Sequence, residues 1–451
     1  MITVMKFGGT SVGSGEALAR TADIIAGTRG SKVVVVSAMS GVTNMLIGLL
    51  ENESDKTDNA REMLVQKHLA VAREHIVKEL YDEYVREFDR RIDKLFALLA
   101  DADTKKDPYY KDNISSQGER LSSLTLSYIL RSKNVKSIAL TSEAAGIYAE
   151  GKPEAGEANL EKTAQGLNVN LVPLLALGVV PVITGFYGKM DDGRPLTFGR
   201  GGSDYSAAVV ANALNADLLE IWTDVDGFMT ADPRVVPDAM VIEEMNFSEA
   251  AELAYFGAKV LHPRTIEPVR MKHIPLKVRN SFNPKAPGTL IHHLRASKNE
   301  LLRSVAMKVD LSIITVSSAE IAYRPRMVSR ILEKIADANV VVYAISTSLS
   351  TIALLLHNLD VKETLRYLNT LPPLDIERID VKSNVALVCA VGDNLLSKCG
   401  VSADIFAAVR DAGANVELIS EGASDVSLNF VVPMDKATET VRVLHERFVG
   451  E

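Results

Sequence analysis

The sequence predicts an α/β protein, with a layered sandwich on a mainly parallel sheet followed by two smaller α+β units. Three observations predict this class. Short β-branched runs alternate with helical patterns over roughly the first 290 residues, a turn-rich stretch follows, and the remainder contains an internal duplication. A length of 451 residues suits two or three domains, since single cores seldom grow beyond about 250–300 residues.

The predicted strands of the first part are short and continuously apolar, as is typical of strands buried on both faces of a parallel sheet. They are Val4–Phe7, Lys32–Ser37, Ser137–Thr141, Val179–Phe186, Leu218–Thr223 and Ile274–Arg279. Helical patterns lie between them at Glu16–Ile25, Asp204–Leu214 and Phe247–Leu261. The alternation of strand and helix indicates an α/β layered sandwich.

Residues 55–105 differ from this pattern. Apolar side chains recur there at steps of three or four, as at Leu69, Ala72 and Ile76, and most other positions are charged. We therefore predict an amphipathic helical insertion that packs on the sheet domain. His68 and His75 are expected to be packing or surface side chains rather than ligands.

The turn-rich stretch Asn283–Gly288 marks a boundary, after which two similar halves follow. Leu302–Thr370 and Asn384–Val449 each follow the order strand, helix, strand, strand, helix. The segments ADANVVVYAIS and RDAGANVELIS are the most similar parts of the two halves. We predict a duplicated α+β unit.

The composition argues against several classes of protein. A net charge of −8 without basic runs disfavours a nucleic-acid surface. Cys389 and Cys399 can form neither a disulfide framework nor a common zinc signature. The N-terminus lacks a signal-peptide pattern and the apolar runs are too short to span a bilayer, so we expect a cytoplasmic protein without membrane contact.

The first candidate for chemistry is Lys6–Ser11, where a strand ends in two glycines before a helix. Glycines at such a turn allow backbone N–H groups to approach phosphate oxygens. The segment is neither a Walker loop nor a dinucleotide G-x-G-x-x-G, because the lysine precedes the glycines. Taken alone, it is more often a tight turn beside a solvated lysine, because glycine turns are common.

Further polar blocks follow other predicted strands. Ser37–Asn44 is rich in small and hydroxyl residues, and loops at the carboxyl ends of strands line the ligand crevice of open α/β sheets. Gly199–Asp204 opens a helix, and its Arg200 offers a bidentate fork for a carboxylate. In this block Ser203 or Asp204 is alternatively no more than a helix N-cap.

Three more blocks carry charge. Glu119 suits an ammonium group, with a surface helix residue as the alternative. Thr223–Gly227 and the nearby Arg234 form either a nucleotide-contacting loop or a plain Asp-Gly turn, and their spacing does not fit an EF-hand. Lys259 provides a second lysine near a helix end.

These blocks together resemble a known family. KFGGTSVGSGE, VVSAMSGVTN, GRGGSDYSAA, IWTDVDGFMTADPR and FGAKVLHPRTIEP are similar to the signature blocks of the aspartokinases in the amino acid kinase family, and they occur in family order over residues 4–268. The duplicated C-terminus resembles paired ACT domains. The resemblance implies an amino-acid-kinase three-layer sandwich over 1–290, and ACT-like (ferredoxin-like) units over 300–375 and 380–451.

The resemblance also implies roles for individual residues. Lys6 would stabilise the transferring phosphoryl group, with Asp204 orienting this lysine. Aspartate would be bound by Arg200 through a carboxylate and by Glu119 through its ammonium. The substrate pocket would be completed by Ser37, Thr43 and Ser203. ATP would be bound by Lys6, Gly8, Gly9, Thr223, Asp224, Arg234 and Lys259. Mg²⁺ would bridge the phosphates without a protein metal site, and the ionised acceptor carboxylate needs no general base.

The implied reaction is ATP-dependent phosphorylation of the aspartate side chain to 4-phospho-L-aspartate, toward lysine, threonine and methionine. A homodimer or larger oligomer and a lysine or threonine effector are implied as well. Met229 stands where the family often has Tyr in the nucleotide loop. The first ACT-like unit lacks the family's usual Gly-rich turn, so the sequence does not predict whether lysine or threonine inhibits the protein. The alternatives are a kinase for another small amino acid and an amino-acid-binding regulatory protein with weak or no kinase activity.

Overall fold

The computed structural model describes residues 1–51, 57–257, 260–294, 301–318, 321–323, 325–372, 376–393, 395, 399–422 and 424–449. The chain divides into two compact units. The first unit comprises Met1–Phe228, Glu243–Phe247 and Val260–Leu294, and the second unit comprises Met229–Ile242, Ser248–Lys259 and Arg295–Glu451.

An eight-stranded sheet forms the centre of the first unit. The strands of this unit are β1 (Ile2–Phe7), β2 (Ser31–Val36), β3 (Ser137–Leu140), β4 (Ala149–Lys152), β5 (Ala155–Ala158), β6 (Val180–Thr184), β7 (Tyr187–Lys189), β8 (Pro195–Thr197), β9 (Leu218–Thr223), β10 (Glu244–Asn246), β11 (Leu276–Asn280) and β12 (Thr289–His292). The sheet order is β10-β12-β11-β9-β1-β2-β6-β3, and only the β11–β12 pair is antiparallel. β4–β5 and β7–β8 are separate hairpins. The predicted α/β class with a mainly parallel sheet is confirmed.

Helices surround this sheet in the first unit. They are α1 (Gly15–Gly27), α2 (Val42–Glu51), α3 (Thr57–His75), α4 (Lys78–Ala100), α5 (Tyr110–Ser115), α6 (Gln117–Ser132), α7 (Ser142–Ala145), α8 (Leu160–Asn170), α9 (Val172–Ala176) and α10 (Gly202–Ala213). Of the next two helices, α11 (Phe247–Phe256) lies mostly in the second unit and α12 (Ile266–Arg270) lies in the first. The central strands are buried on both faces, which explains why their sequences are continuously apolar.

Two helices, α3 and α4, occupy the predicted insertion. On α4 the buried side chains Tyr84, Phe88 and Ile92 follow each other at four-residue spacing and join the hydrophobic core. Each such side chain contributes about 1.5–3 kcal/mol when fully buried. His68 on α3 is fully buried with Nδ1 3.1 Å from Thr125 Oγ1, and burial lowers its pKa to about 3. It is a packing histidine.

The second unit contains a six-stranded antiparallel sheet. Its strands are β13 (Ser304–Ser317), β14 (Val342–Thr347), β15 (Thr351–His357), β16 (Arg378–Val391), β17 (Leu418–Ser420) and β18 (Ser427–Pro433), and its further helices are α13 (Pro325–Asp337), α14 (Val361–Leu368), α15 (Val401–Asp411) and α16 (Met434–Phe448). The sheet order is β14-β15-β13-β16-β18-β17. Both halves thus have the predicted order of elements, and the first strands of the two halves, β13 and β16, pair with each other.

Two features of the second unit differ from the prediction. Helix α11 ends at Phe256 rather than at Leu261, and at Gly257 a Cβ atom would lie 2.7 Å from the carbonyl oxygen of Met307. The segment Met229–Ile242 packs in this unit as well, where Val235 joins its hydrophobic core. The functional boundaries at 1–290, 300–375 and 380–451 stay predictions.

Among the helices that the structure describes, none has the length and apolar character required to cross a bilayer. Cys389 is buried and Cys399 is exposed, and both are free thiols.

Candidate active site

A cavity of about 370 Å³ lies where several loops of the first unit converge. The strands β1, β2 and β6 are parallel neighbours, and the segments that follow them contribute to its wall. Ligands of open α/β sheets bind at this edge, outside the carboxyl ends of the strands. The cavity is lined by Lys6, Gly9, Ser37, Ala38, Met39, Ser40, Gly41, Thr43, Asn44, Glu119, Phe186, Gly199, Arg200, Gly201, Gly202, Ser203 and Asp204.

An ion pair between a buried lysine and a half-buried aspartate joins two of the predicted residues. Lys6 on β1 is 8% exposed, and its Nζ lies 2.5 Å from Oδ1 of Asp204 in the first turn of α10. The contact is close in distance, although Asp204 Oδ1 accepts no well-directed hydrogen bond among the described residues. The carboxylate therefore holds the ammonium at the cavity wall through charge, and the ammonium keeps donors for a further anion.

The glycine turn after β1 packs tightly on neighbouring backbone. The Gly8 N–H donates to the carbonyl oxygen of Trp222 at 3.2 Å, so this donor is already used within the protein. Gly9 lines the cavity, and its carbonyl oxygen accepts a hydrogen bond of 2.9 Å from Ser40 Oγ. A Cβ atom at Gly13 would lie 2.7 Å from Ser40 Oγ, so the turn leaves no space for a side chain there.

Glu119 lies at the start of α6 and is only 3% exposed, so its interpretation as a surface helix residue is wrong. Its neighbour Gly118 explains the burial, because a Cβ atom there would lie 2.7 Å from Ala38 Cβ, which brings α6 against the segment after β2. Burial raises the pKa of Glu119 to about 8, and backbone N–H donors and the charge of Lys6 offset this only in part. Its Oε2 is buried and accepts no hydrogen bond from any described residue.

The loop from Gly199 to Ser203 depends on glycine. Gly199 and Gly201 both have φ of +72°, and a Cβ atom at Gly201 would lie 2.4 Å from His262 Cβ. Gly201 itself is the N-cap residue of α10 without a side-chain capping bond, so the N-cap interpretation of Ser203 or Asp204 is wrong. Arg200 and Ser203 instead line the cavity.

The other predicted nucleotide residues are not part of this cavity wall. Thr223 ends β9, the strand beside β1, and donates to Asp224 Oδ1 at 3.1 Å. Arg234 belongs to the second unit, where its side chain is 84% exposed and pairs with Asp232 at 2.6 Å. Lys259 lies outside the described residues.

Phe186 lines the cavity as well, although the sequence did not predict it as a site residue. This residue follows β6 with φ of +78°, which is uncommon for a side chain without a polar group. Loops at the carboxyl ends of parallel strands line the ligand crevice, and this rule had identified Ser37–Asn44. It applies to Phe186 as well, because β6 ends at Thr184, two residues earlier. Among the described residues, no group of three or more His, Cys, Asp or Glu side chains is arranged to hold a metal ion.

Comparison with known proteins agrees with this geometry. The model of the amino acid kinase family matches residues 1–280, and the model of an ACT domain matches residues 388–448. Lysine-sensitive aspartokinase 3 of Escherichia coli (strain K12) is 33% identical over 460 residues, which is 98% of each chain. The chain spans about half the length of bifunctional aspartokinase/homoserine dehydrogenases such as that of Arabidopsis thaliana, at 30% identity.

Solved structures extend the likeness to the whole fold. The crystal structure of E. coli aspartokinase III with aspartate and ADP, in the R-state, matches with a TM-score of 0.85 and 32% identity over 99% of both chains. The structure of the same enzyme with lysine and aspartate, in the T-state, matches with a TM-score of 0.83 and 32% identity over 100% of both chains. Family model, full-length relative and fold agree, and the chain belongs to the aspartokinases, the aspartate kinases of the amino acid kinase family.

Proposed function

We propose that this chain transfers the γ-phosphoryl group of ATP to the side-chain carboxylate of L-aspartate and forms 4-phospho-L-aspartate. The observation that carries the proposal is the set of charges around the cavity, where the Lys6–Asp204 pair, Glu119 and Arg200 meet. An amino acid acceptor requires a carboxylate for its ammonium and a cation for a carboxylate. Glu119 and Arg200 are suited to these two tasks, and Ser37, Thr43 and Ser203 supply hydroxyl groups beside them.

Lys6 is assigned to the reacting phosphoryl group. Phosphoryl transfer depends mainly on positioning and charge neutralisation, and a cation held by a nearby, partly buried carboxylate is already oriented before the nucleotide arrives. The acceptor carboxylate is ionised at neutral pH, so no side chain is needed as a general base. Asp204 is accordingly an orienting group for Lys6.

The glycine turn is assigned to the phosphates of ATP. Gly9 lines the cavity and is the better candidate for a backbone donor, because the Gly8 N–H already donates to Trp222, and Gly8 is proposed from the family likeness. Thr223 and Asp224 are proposed nucleotide contacts from their place after β9, and Arg234 and Lys259 from the family likeness alone. Mg²⁺ is proposed to bridge the phosphates and neutralise part of their charge.

Regulation by an amino acid is proposed for the second unit. The support is the ACT match over 388–448 and the E. coli relative, which is named lysine-sensitive and was crystallised with lysine. We propose lysine or threonine as the effector, and a homodimer or larger oligomer as the assembly.

A hydroxamate-trapping assay with ATP, Mg²⁺ and aspartate tests the reaction. We expect aspartyl hydroxamate with aspartate and none with glutamate, and reduced formation when lysine or threonine is added. Hydroxamate with both acids would indicate a kinase of broader specificity. A folded protein that forms none would refute the proposal in favour of a regulatory protein without kinase activity.

A further inference from the structure

Arg264 is not among the cavity-lining residues, yet it contacts the protein on both sides of the loop that carries Arg200. Its Nη1 donates to the carbonyl oxygen of Phe198 at 2.8 Å, immediately before the loop. Its guanidinium also stacks on the ring of Tyr205 with 4.7 Å between Cζ and the ring centroid, immediately after the loop. One side chain thus joins the two ends of the segment Gly199–Asp204.

The base of this loop is closed by further contacts. The rings of Phe198 and Tyr205 meet edge to face with centroids 5.1 Å apart, so the two ends touch directly. Arg264 Nη2 donates to the carbonyl oxygen of Gly156 at 3.0 Å and ties the loop base to β5. Thr197 is fixed as well, because its N–H and hydroxyl donate to buried Asp112 Oδ1 at 2.7 and 2.6 Å.

The geometry of Arg264 requires a guanidinium. Two nitrogens of one planar fork reach carbonyl oxygens on two different segments, and its face covers an aromatic ring. Among the described residues Arg264 forms no ion pair, and its partners are carbonyl oxygens and a ring. These contacts are directed at the loop base and not at a neighbouring charge.

Arg200 depends on this base. In the described part of the chain its side chain has no hydrogen bond or ion pair, so its position follows from the loop backbone. That backbone passes through the left-handed region at Gly199 and Gly201, where glycine restrains the chain least. Packing of Gly201 against His262 restrains the middle of the loop, and the contacts of Arg264 restrain its two ends.

We propose that Arg264 is a positioning residue for aspartate binding, which holds the loop so that Arg200 points into the cavity. The inference rests on the proposed function of Arg200 as the group that binds a carboxylate of aspartate. Misplacing a substrate-binding group by about 1 Å commonly costs up to about 10²-fold in rate. The loss is expected mainly in the parameters for aspartate, because Arg200 lies in the loop before α10, whereas Asp204 is held in the first turn of that helix.

The kinetic test compares Arg264→Met and Arg264→Lys with the control Arg270→Met, which removes an exposed arginine paired with Glu267. For Arg264→Met we expect kcat/KM for aspartate to fall by about 10–10²-fold, while KM for ATP changes less than about twofold. Arg264→Lys keeps the positive charge but has a single nitrogen, which can reach only one of the two carbonyl oxygens, and it should recover part of the loss. Arg270→Met should behave as the wild type. Equal rises of both KM values, or no change, would overturn the inference.

A second measurement does not depend on kinase activity. Trypsin cleaves after arginine, and Arg200 is exposed, so limited proteolysis under native conditions reports how often the loop opens. Cleavage after Arg200 should be faster in Arg264→Met than in the wild type or Arg270→Met, with thermal unfolding measured alongside. Unchanged cleavage would refute the restraint of the loop by Arg264, even if the enzyme is active. If cleavage is faster in Arg264→Met but the wild type shows no aspartate-dependent turnover, Arg264 still restrains the loop. The proposed function and the role in aspartate binding would then both be refuted.

Discussion

The pKa of Glu119 makes aspartate binding dependent on pH, and this dependence tests its assignment to the substrate ammonium. The carboxyl group is buried, and its pKa rises from the ordinary value of 4.5 to about 8 in the free protein. Only the ionised form attracts an ammonium strongly. In the protein without substrate, Glu119 is therefore mostly protonated and uncharged at neutral pH, and this form binds an ammonium only weakly.

The size of the effect follows from the ionised fraction. With a pKa of about 8, roughly one tenth of the molecules carry the anion at about pH 7 and roughly one hundredth at about pH 6. An apparent dissociation constant is the intrinsic one divided by the competent fraction. KM for aspartate should thus fall about tenfold for each pH unit up to about pH 8 and level off above it.

The assay is steady-state ADP formation at constant ionic strength, with saturating ATP and varied aspartate between about pH 6 and pH 9. Glu119→Gln is the matched variant, because it keeps the shape and cannot ionise. It should show a high KM for aspartate that changes little over this range. A wild-type KM that is flat across the range, or that parallels the variant, would refute the reasoning.

The raised pKa of Glu119 also makes the free energy of unfolding depend on pH. The folded protein holds the Glu119 proton more tightly than the unfolded chain, so this group stabilises the fold fully below about pH 4.5 and its contribution is lost as pH rises through about 8. Relative to Glu119→Gln, the wild type should lose roughly 3–5 kcal/mol of unfolding free energy across that window. Parallel curves for the two proteins in urea unfolding would contradict the raised pKa.

Four further predictions concern single side chains. Lys6→Met should lower kcat by about 10²–10³-fold with an unchanged circular dichroism spectrum, and near wild-type turnover would exclude its role in charge stabilisation. Arg200→Gln should raise KM for aspartate far more than KM for ATP, and equal effects would count against a carboxylate contact. Gly201→Ala should impair aspartate binding and cost about 1–3 kcal/mol of stability, because a φ of +72° and a Cβ atom 2.4 Å from His262 are both unfavourable, and a normal melting temperature would contradict this. Burial lowers the pKa of His68 to about 3, so the wild type should lose roughly 3–5 kcal/mol as pH falls from about 6.5 to 3, whereas His68→Gln should lack this component in acid unfolding curves.

The amino-acid sequence by itself determined the class of the fold and the family of the enzyme. The strands β1, β2 and β9 agree with their predicted ranges to within two residues, because continuous apolar runs are needed wherever a strand is buried on both faces. The duplication of the C-terminal unit was also visible in the sequence, because each half repeats the pattern of apolar residues that the same order of strands and helices requires. Lys6, Glu119 and Arg200 were recognisable as charged residues in glycine- and serine-rich blocks.

Only the tertiary structure decided how these groups act on each other. Periodicity indicates that a residue is buried but not what it is buried against, so it could not reveal the Lys6–Asp204 contact or the raised pKa of Glu119. The packing of Met229–Ile242 in the second unit and the pairing of β13 with β16 likewise join segments far apart in the chain. Arg264 is the clearest case, because its partners come from three separate segments and no local pattern connects them. Desolvation, charge pairing and loop restraint all arise from such distant neighbours, and therefore they depend on the folded chain.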